Sequence, residues 1–569
     1  MEQKNSFVDS NLVIESFADL KPYYDQLLER QLKTNSEVWQ WLLDCSELDS
    51  FVEEDFAWRY IKSTCNTEDA EAKAAFDKFV TDIEPEITLI NNKIEKRFLS
   101  PEVQLHIDKA KLFTMVRSIR NSNELFREEN VKIEAELQQA EQEFGAISAK
   151  MTVDVDGRTM TMQQASNYMK TASREKRKEV YESMIARRMA DKPAIDSLIE
   201  RLMNLRNTIA ANTGFDCYTD FRFRQLGRFD YTVADCRDFH QSVADIVVPL
   251  VDEINERRRQ MMGVDMLRPY DMPVDLPVGI TLKPFESTDD LVRKATLCFR
   301  DIDPEMGMIM NTMARMGRLD LESRVGKAPG GYNYPLYRSN TAFIFMNATG
   351  NLHDMVTLMH EGGHAVHAFL CANQPLVNLK DTPAEVAELA SMSMELITMS
   401  QWHHFFSDEK QLKMAKLNQM EDVISGLPWI AAVDKFQHYL YENKGNTAEQ
   451  RTQAWRDIMA QFGSRVVDYS GYEDAYNNKW QRQLHIFELP FYYIEYGFAQ
   501  LGAISIWKRY TENPQQAIAD FKKALSLGYS HSIPEIYEAA GIKFCFTPDY
   551  IAGLMDFVKA EMKKLQDGI

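Results

Sequence analysis

The sequence predicts a mostly α-helical protein with a small β-sheet set beside one helix. Three observations carry that expectation. Apolar residues recur at helical spacing over most of the 569 residues. Strand-like alternation is confined to a few short stretches. The run Leu352 to Phe369 (LHDMVTLMHEGGHAVHAF) forms an apolar helix soon after the strand-like Ala342 to Met346 (AFIFM).

The elements follow in chain order. Residues 1 to 145 read as long amphipathic helices, such as Leu20 to Leu43 and Asn130 to Phe144. Residues 147 to 162 alternate around Asp156-Gly157, a strong hairpin signal. Helices resume from Ala165 to about Ala211 and from Thr232 to Met262. Leu267 to Leu282 carries Pro269, Pro273 and Pro277, which predicts a crossing between lobes or an edge strand. Met306, Met308, Met310, Met313 and Met316 recur at helical spacing and predict adaptable packing rather than a soft-metal site. Gly330-Gly331 interrupts the pattern before the strand, and everything after Asn351 reads as helix and short turns. A linear division results: a helical region over 1–145, a small lobe with the hairpin over 146–200, and a helical catalytic domain over 201–569.

Composition narrows the function. The net charge of −20 argues against nucleic acid or an anionic membrane as partner. No stretch of about 18 uninterrupted apolar residues suggests a membrane span. The first twenty residues lack a basic region followed by an apolar core, so no secretory signal is expected. The seven cysteines are scattered, odd in number and form no C-x-x-C pair, which suits free thiols in the cytoplasm. No pattern points to a particular oligomeric state.

His360 and His364 stand four apart, so a helix projects them from one face, where two imidazoles can share one zinc ion. Glu361 then lies beside the metal and can take a proton from water. Gly362 and Gly363 each cost a helix roughly 0.8–1 kcal/mol relative to Ala. A substrate backbone or a neighbouring strand passing close to the metal would account for them. A third ligand is expected from a second helix, Thr382 to Trp402, where Glu385, Glu388 and Glu395 share one face. Carboxylates on an otherwise apolar helix are costly to bury unpaired, and a metal offsets that cost. The competing reading for Glu385 is a solvated stripe. His367 shares the histidine face but lies about 10 Å along the axis from His360 at 1.5 Å per residue, which suits a supporting or packing role.

These residues resemble the oligoendopeptidase F-like zinc metallopeptidases of the thimet oligopeptidase family, which are gluzincins. That family's zinc helix reads H-E-x-G-H-x-x-H and its second helix E-x-x-S-x-x-x-E, matched here by Glu388, Ser391 and Glu395. The resemblance implies Glu388 rather than Glu385 as third ligand and one Zn2+ per chain. It extends over roughly residues 265 to 560, through Lys327–Asn347, Phe436–Tyr441, His485–Tyr496 and Leu525–Phe544. The chain departs from the family at Gly362, where a large side chain is common. From the His485–Tyr496 block, the resemblance implies that His485, Tyr492 and Tyr496 contact substrate and transition state. It also implies two helical lobes around a central substrate channel, and a cytoplasmic metalloendopeptidase acting on short unstructured peptides. The alternatives are a zinc carboxypeptidase or peptidyl-dipeptidase and, further off, an inactive peptide-binding protein.

Further contacts are expected around this centre. Asp354 or Glu395 would accept an imidazole N–H from a ligand. The strand bearing Phe343 and Phe345 would pair with an extended peptide, and Gly330, Gly331 and Tyr332 would close over it.

Overall fold

The computed structural model describes residues 6–566 except 279, 281, 325 and 329. Helices dominate the described residues, and two small sheets occur among them. The chain divides into two compact units, each assembled from three separated stretches. The first comprises Met1–Glu124, Lys283–Asp408 and Gly502–Phe544; the second comprises Leu125–Leu282, Glu409–Leu501 and Cys545–Ile569. This differs from the linear division at 145 and 200, because both units draw on segments far apart in sequence.

In the first unit, helices Phe17–Glu29, Asn35–Cys65, Glu84–Phe98 and Phe113–Leu125 share an apolar core that includes Leu20, Trp41, Phe51 and Phe98. The helix expected over Leu20 to Leu43 is thus two helices. Arg30 leaves helical geometry at ψ 134°, and the Thr34 side chain accepts the Glu37 N–H to start the next helix. Helix Pro304–Arg315 buries Met306, Met310 and Met313, whereas Met308 lies outside. This is the packing role read from the methionine spacing.

Five strands occur among the described residues: β1 (Thr152–Val155), β2 (Arg158–Thr161), β3 (Leu319–Glu322), β4 (Tyr332–Leu336) and β5 (Thr341–Ala348). The first two form the expected hairpin in the second unit, with Asp156 and Gly157 both at positive φ. The other three form a sheet in the first unit in the order β3-β5-β4, with β3 parallel and β4 antiparallel to β5. β5 is therefore central, and both of its edges are already paired. An added peptide strand cannot dock on it, contrary to the expectation for this strand. Phe343 and Phe345 are buried against Ala57, Ile61 and Leu336.

The second unit is organised by the long helices Arg174–Asn212 and Glu409–Glu442, with Pro548–Gln566 against the latter. Among its described residues, the proline-rich stretch 267–282 makes one short 3-10 turn, Pro269–Asp271, and a single bridge from Leu267 to Val467. It is a crossing segment rather than an edge strand, for it ends where the chain passes to the first unit. No helix among the described residues is long and apolar enough to cross a membrane.

Candidate active site

Helix Leu352–Cys371 begins at a capping box. Asn351 accepts the Asp354 N–H, and Asp354 Oδ2 accepts N–H bonds from Thr349, Gly350 and Asn351. Asp354 is thereby committed to starting this helix and does not orient a ligand, contrary to the expectation for it. The pattern Asn351-x-x-Asp354 is the sequence signal for this cap.

Two turns later the helix presents His360 and His364 side by side, with ring centroids 4.9 Å apart. Helix Ala384–Ile397 packs across it and brings in Glu388. Glu388 Oε2 lies 3.3 Å from His360 Nε2 and 3.7 Å from His364 Nε2. Glu385 takes no part in this group. It is buried at 3% exposure, so it does not belong to a solvated stripe.

The two glycines explain how the helices come so close. A Cβ on Gly363 would lie 2.6 Å from Ser391 Cα and 2.8 Å from the Ala390 carbonyl oxygen. Gly363 is therefore where one helix backbone touches the other. Gly362 meets other neighbours, for a Cβ there would lie 2.6 Å from Phe299 and 3.3 Å from Met310. Neighbouring helices, rather than a substrate or a strand, require the missing side chains. Neither Phe299 nor Met310 could be linked to Gly362 from sequence, because the contact is not local.

Supporting bonds fix the donors. Glu395 Oε1 accepts the His360 Nδ1 proton at 2.7 Å, which leaves Nε2 directed at Glu388. Ser391 Oγ donates to Glu388 Oε2 at 3.1 Å. Asn333 Nδ2 in β4 donates to the Glu361 carbonyl at 3.2 Å, tying the sheet to the histidine helix. Asn333 carries no mark in the sequence. His367 is buried, and its Nε2 has no hydrogen-bond partner among the described residues.

Charge in the group is unbalanced towards the negative. Burial opposes ionisation of Glu388, but His360, His364 and Ser391 outweigh it and hold the carboxylate down at about 2. Burial opposes charge on His360 too, yet Glu388 and Glu395 raise it well above the ordinary histidine range. His364 is pushed down to about 4 by burial and by His360, so it is neutral and offers a lone pair. Burial pushes Glu361 up to about 7, and its Oε2 has no hydrogen-bond partner among the described residues. Two imidazoles and one carboxylate converge within 4.8 Å, with a partnerless carboxylate oxygen on the same helix. A tetrahedral zinc ion with bonds near 2.0–2.2 Å spaces its ligand atoms by about 3.3 Å, so the donor set fits a zinc-like cation.

Of the other expected residues, Gly330 and Gly331 lie before β4, with Gly330 at φ +98°. Asn347 Nδ2 donates to the Gly330 carbonyl at 3.0 Å. The Tyr332 ring stacks on Phe345 at 4.7 Å, and its hydroxyl bonds the Thr64 hydroxyl at 2.7 Å. That ring packs into the first unit instead of closing over a peptide. His485, Tyr492 and Tyr496 belong to the second unit and cluster there, with ring centroids 5.5–6.3 Å apart.

Nothing in the sequence foretells what holds this cluster. Trp429 Nε1 donates to Gln483 Oε1 at 2.9 Å, which turns Gln483 Nε2 towards His485 Nδ1 at 2.8 Å. His485 then carries its proton on Nε2. Phe491, fully buried, holds φ +67°, a strained conformation for a bulky residue. Its N–H donates to Gln437 Oε1 at 2.7 Å, and its carbonyl accepts from Arg228. Arg228 also pairs with buried Glu495 at 2.9 Å, fixing the start of the helix that bears Tyr496.

Comparisons with known proteins place the fold and the family. Residues 167–291 and 304–555 match peptidase family M3, and residues 7–126 match the peptidase M3 N-terminal domain. The second match extends the likeness to the N-terminal region, beyond the residues 265 to 560 that carry the sequence resemblance. An oligoendopeptidase F homolog of Borreliella burgdorferi is 24% identical over 289 residues, 50% of this chain and 48% of that protein. One from Lactococcus lactis subsp. lactis is 24% identical over 322 residues, 56% of this chain and 52% of that protein. The chain thus spans about half the length of these relatives. The structure of PZ peptidase A with inhibitor 2 superposes with a TM-score of 0.91 at 26% identity, covering 99% of this chain and 100% of that one.

Proposed function

Because the chain belongs to peptidase family M3, we propose that it is a zinc-dependent endopeptidase hydrolysing internal bonds of short, unstructured peptides. The observation that carries this reading is the convergence of His360, His364 and Glu388 beside the partnerless carboxylate oxygen of Glu361.

His360 Nε2, His364 Nε2 and a Glu388 carboxylate oxygen would hold the ion. Zinc bound there supplies a Lewis acid and lowers the pKa of water to about 7. Glu361 accepts a proton from the attacking water on its carboxylate and passes it to the nitrogen of the leaving amine. Glu395 keeps the His360 ring in the orientation that offers Nε2, and Ser391 keeps Glu388 turned towards both rings. His485, with its proton on Nε2, together with Tyr492 and Tyr496, donates to the oxygen that becomes negative as the carbonyl is attacked. The peptide runs as an added strand along the open edge of β4, beside Gly330 and Gly331. The net charge of −20 and seven cysteines, none in a disulfide, suit a cytoplasmic enzyme.

The test combines metal analysis with product mapping. Purified protein is expected to carry one zinc per chain and to cut peptides blocked at both ends. Products only from peptides with a free carboxyl end would replace this reading with an exopeptidase. No hydrolysis of any peptide by the zinc-loaded protein would remove the peptidase reading.

A further inference from the structure

The second unit contains a cavity of about 560 Å³. Among the described residues that line it there is no aspartate or glutamate, although the chain has 85 acidic residues against 65 lysines and arginines. Four cations line it instead: Lys170, Arg188, Lys479 and Arg482. Lys170 has a carboxylate neighbour, Asp275, at 3.9 Å. The other three form no ion pair among the described residues, and Arg482 stays exposed at the wall. Lys479 Nζ and the Arg482 guanidinium sit over the Trp429 ring at 4.8 and 5.4 Å from its centroid. Burial, reinforced by Arg482, holds Lys479 down at about 7 and Arg188 at about 10. Arg188 and Lys479 are half-buried beside the like charge of Arg482 and lack a counter-charge, and an anion in the cavity relieves that cost.

The rest of the wall says what kind of anion. Six methionines line it, with Tyr181, Tyr469 and Tyr476. Methionine walls adapt to side chains of differing shape. Trp429 also links this cavity to the donor cluster, since its indole N–H fixes Gln483 and through it His485.

We propose that this cavity binds a carboxylate of the peptide substrate, with Arg188, Lys479 and Arg482 as its anion-binding residues. This rests on the peptidase reading. The carboxylate is either the C-terminal one or that of an acidic side chain.

Calorimetry on the full-length, zinc-loaded Glu361→Gln protein tests it with three peptides of one sequence. The first has a free C-terminus, the second is amidated, and the third is amidated with one internal glutamate. At least one carboxylate-bearing peptide is expected to bind about tenfold more tightly than the plain amide, as loss of a charged hydrogen bond predicts. Tighter binding of the first assigns the C-terminus, and of the third a side chain. The advantage should disappear in Arg482→Gln and in Lys479→Gln, each made in the same background. If Arg482→Gln does not fold, Arg188→Gln takes its place. Equal affinity for all three peptides, or an advantage that survives in folded variants, overturns the proposal. Hydrolysis by the unmutated protein separates the two readings. Cleavage with indifference to the carboxylate sinks this site alone. Carboxylate-dependent binding without any cleavage sinks the peptidase reading and leaves the site standing.

Discussion

Replacing Gly363 by alanine should weaken zinc binding without touching a ligand. The added Cβ would lie 2.6 Å from Ser391 Cα, against 3.4 Å or more for an ordinary contact. The obstacle is backbone, so it cannot swing aside, and the two helices must part by about 0.8 Å. His364 Nε2 and Glu388 Oε2 are already 3.7 Å apart. Parting would take them to about 4.5 Å, beyond the roughly 4.2 Å that two bonds of 2.0–2.2 Å can span even in a straight line. Metal sites tolerate about 0.2 Å of error in ligand distance. A fall in zinc affinity of about 100-fold is therefore expected, at the upper end of what loss of a supporting contact costs. Stability should fall less. Overpacking costs about 1–3 kcal/mol, and the helix recovers about 0.8–1 kcal/mol from losing a glycine. Gly426, mid-helix and with nothing within 4 Å of where a Cβ would stand, is the control: Gly426→Ala should be neutral to stabilising and keep zinc. Gly362→Ala should lie between the two, since the tips of Phe299 and Met310 can move. Zinc affinity is read by competition with a chromophoric chelator, and stability by thermal denaturation of the metal-free protein. A Gly363→Ala protein that holds zinc within about threefold of the parent would refute the argument that this contact sets ligand spacing.

Four further outcomes follow from the same geometry. Glu361→Gln should retain zinc and lose nearly all peptide hydrolysis; activity within about tenfold of the parent would remove Glu361 as the base. Glu388→Ala should lose zinc in equilibrium dialysis while Glu385→Ala keeps it, and the reverse would mean that Glu385 is the ligand. Tyr496→Phe and His485→Ala should lower kcat more than they raise KM, by about 2.7–4 kcal/mol in the transition state; normal turnover per titrated site with a lowered Tm would reassign both to packing. In the metal-free protein Glu361 has its carboxyl raised to about 7 from 4.5, so the folded state binds the extra proton between those values. Stability from this group is present below pH 4.5 and is lost as pH rises through 7, on the order of 3 kcal/mol in all. Denaturant melts of metal-free parent and Glu361→Gln protein across that range should differ in slope, and equal slopes would contradict a buried, protonated Glu361.

The features legible in the sequence are those written within one element. The i, i+4 spacing of His360 and His364, the Asp156-Gly157 hairpin and the apolar face of the second helix depend only on backbone periodicity. The choice between Glu385 and Glu388 is not of that kind. Both lie on one face, and what separates them is how closely a second helix approaches, which Gly363 and Ser391 decide together. The same limit explains the error over β5. Ala342 to Met346 reads as a strand, but its central position depends on β3 and β4, and its aromatic side chains turn to the core. The Trp429–Gln483–His485 relay joins residues from two helical regions and carries no local mark.

The three-stretch construction of each unit bears on how the chain is made. On the ribosome, the histidine helix emerges before Gly502–Phe544, the stretch that completes its own unit. The second unit waits longer still, for Cys545–Ile569. The core shared by the first four helices needs nothing beyond Leu379 and can close early, whereas the histidine helix packs against Pro514–Ser526 and lacks that side until the stretch is made. The helix that carries His360 and His364 therefore gains its last neighbour well over a hundred residues after its own ligand-bearing turns are made.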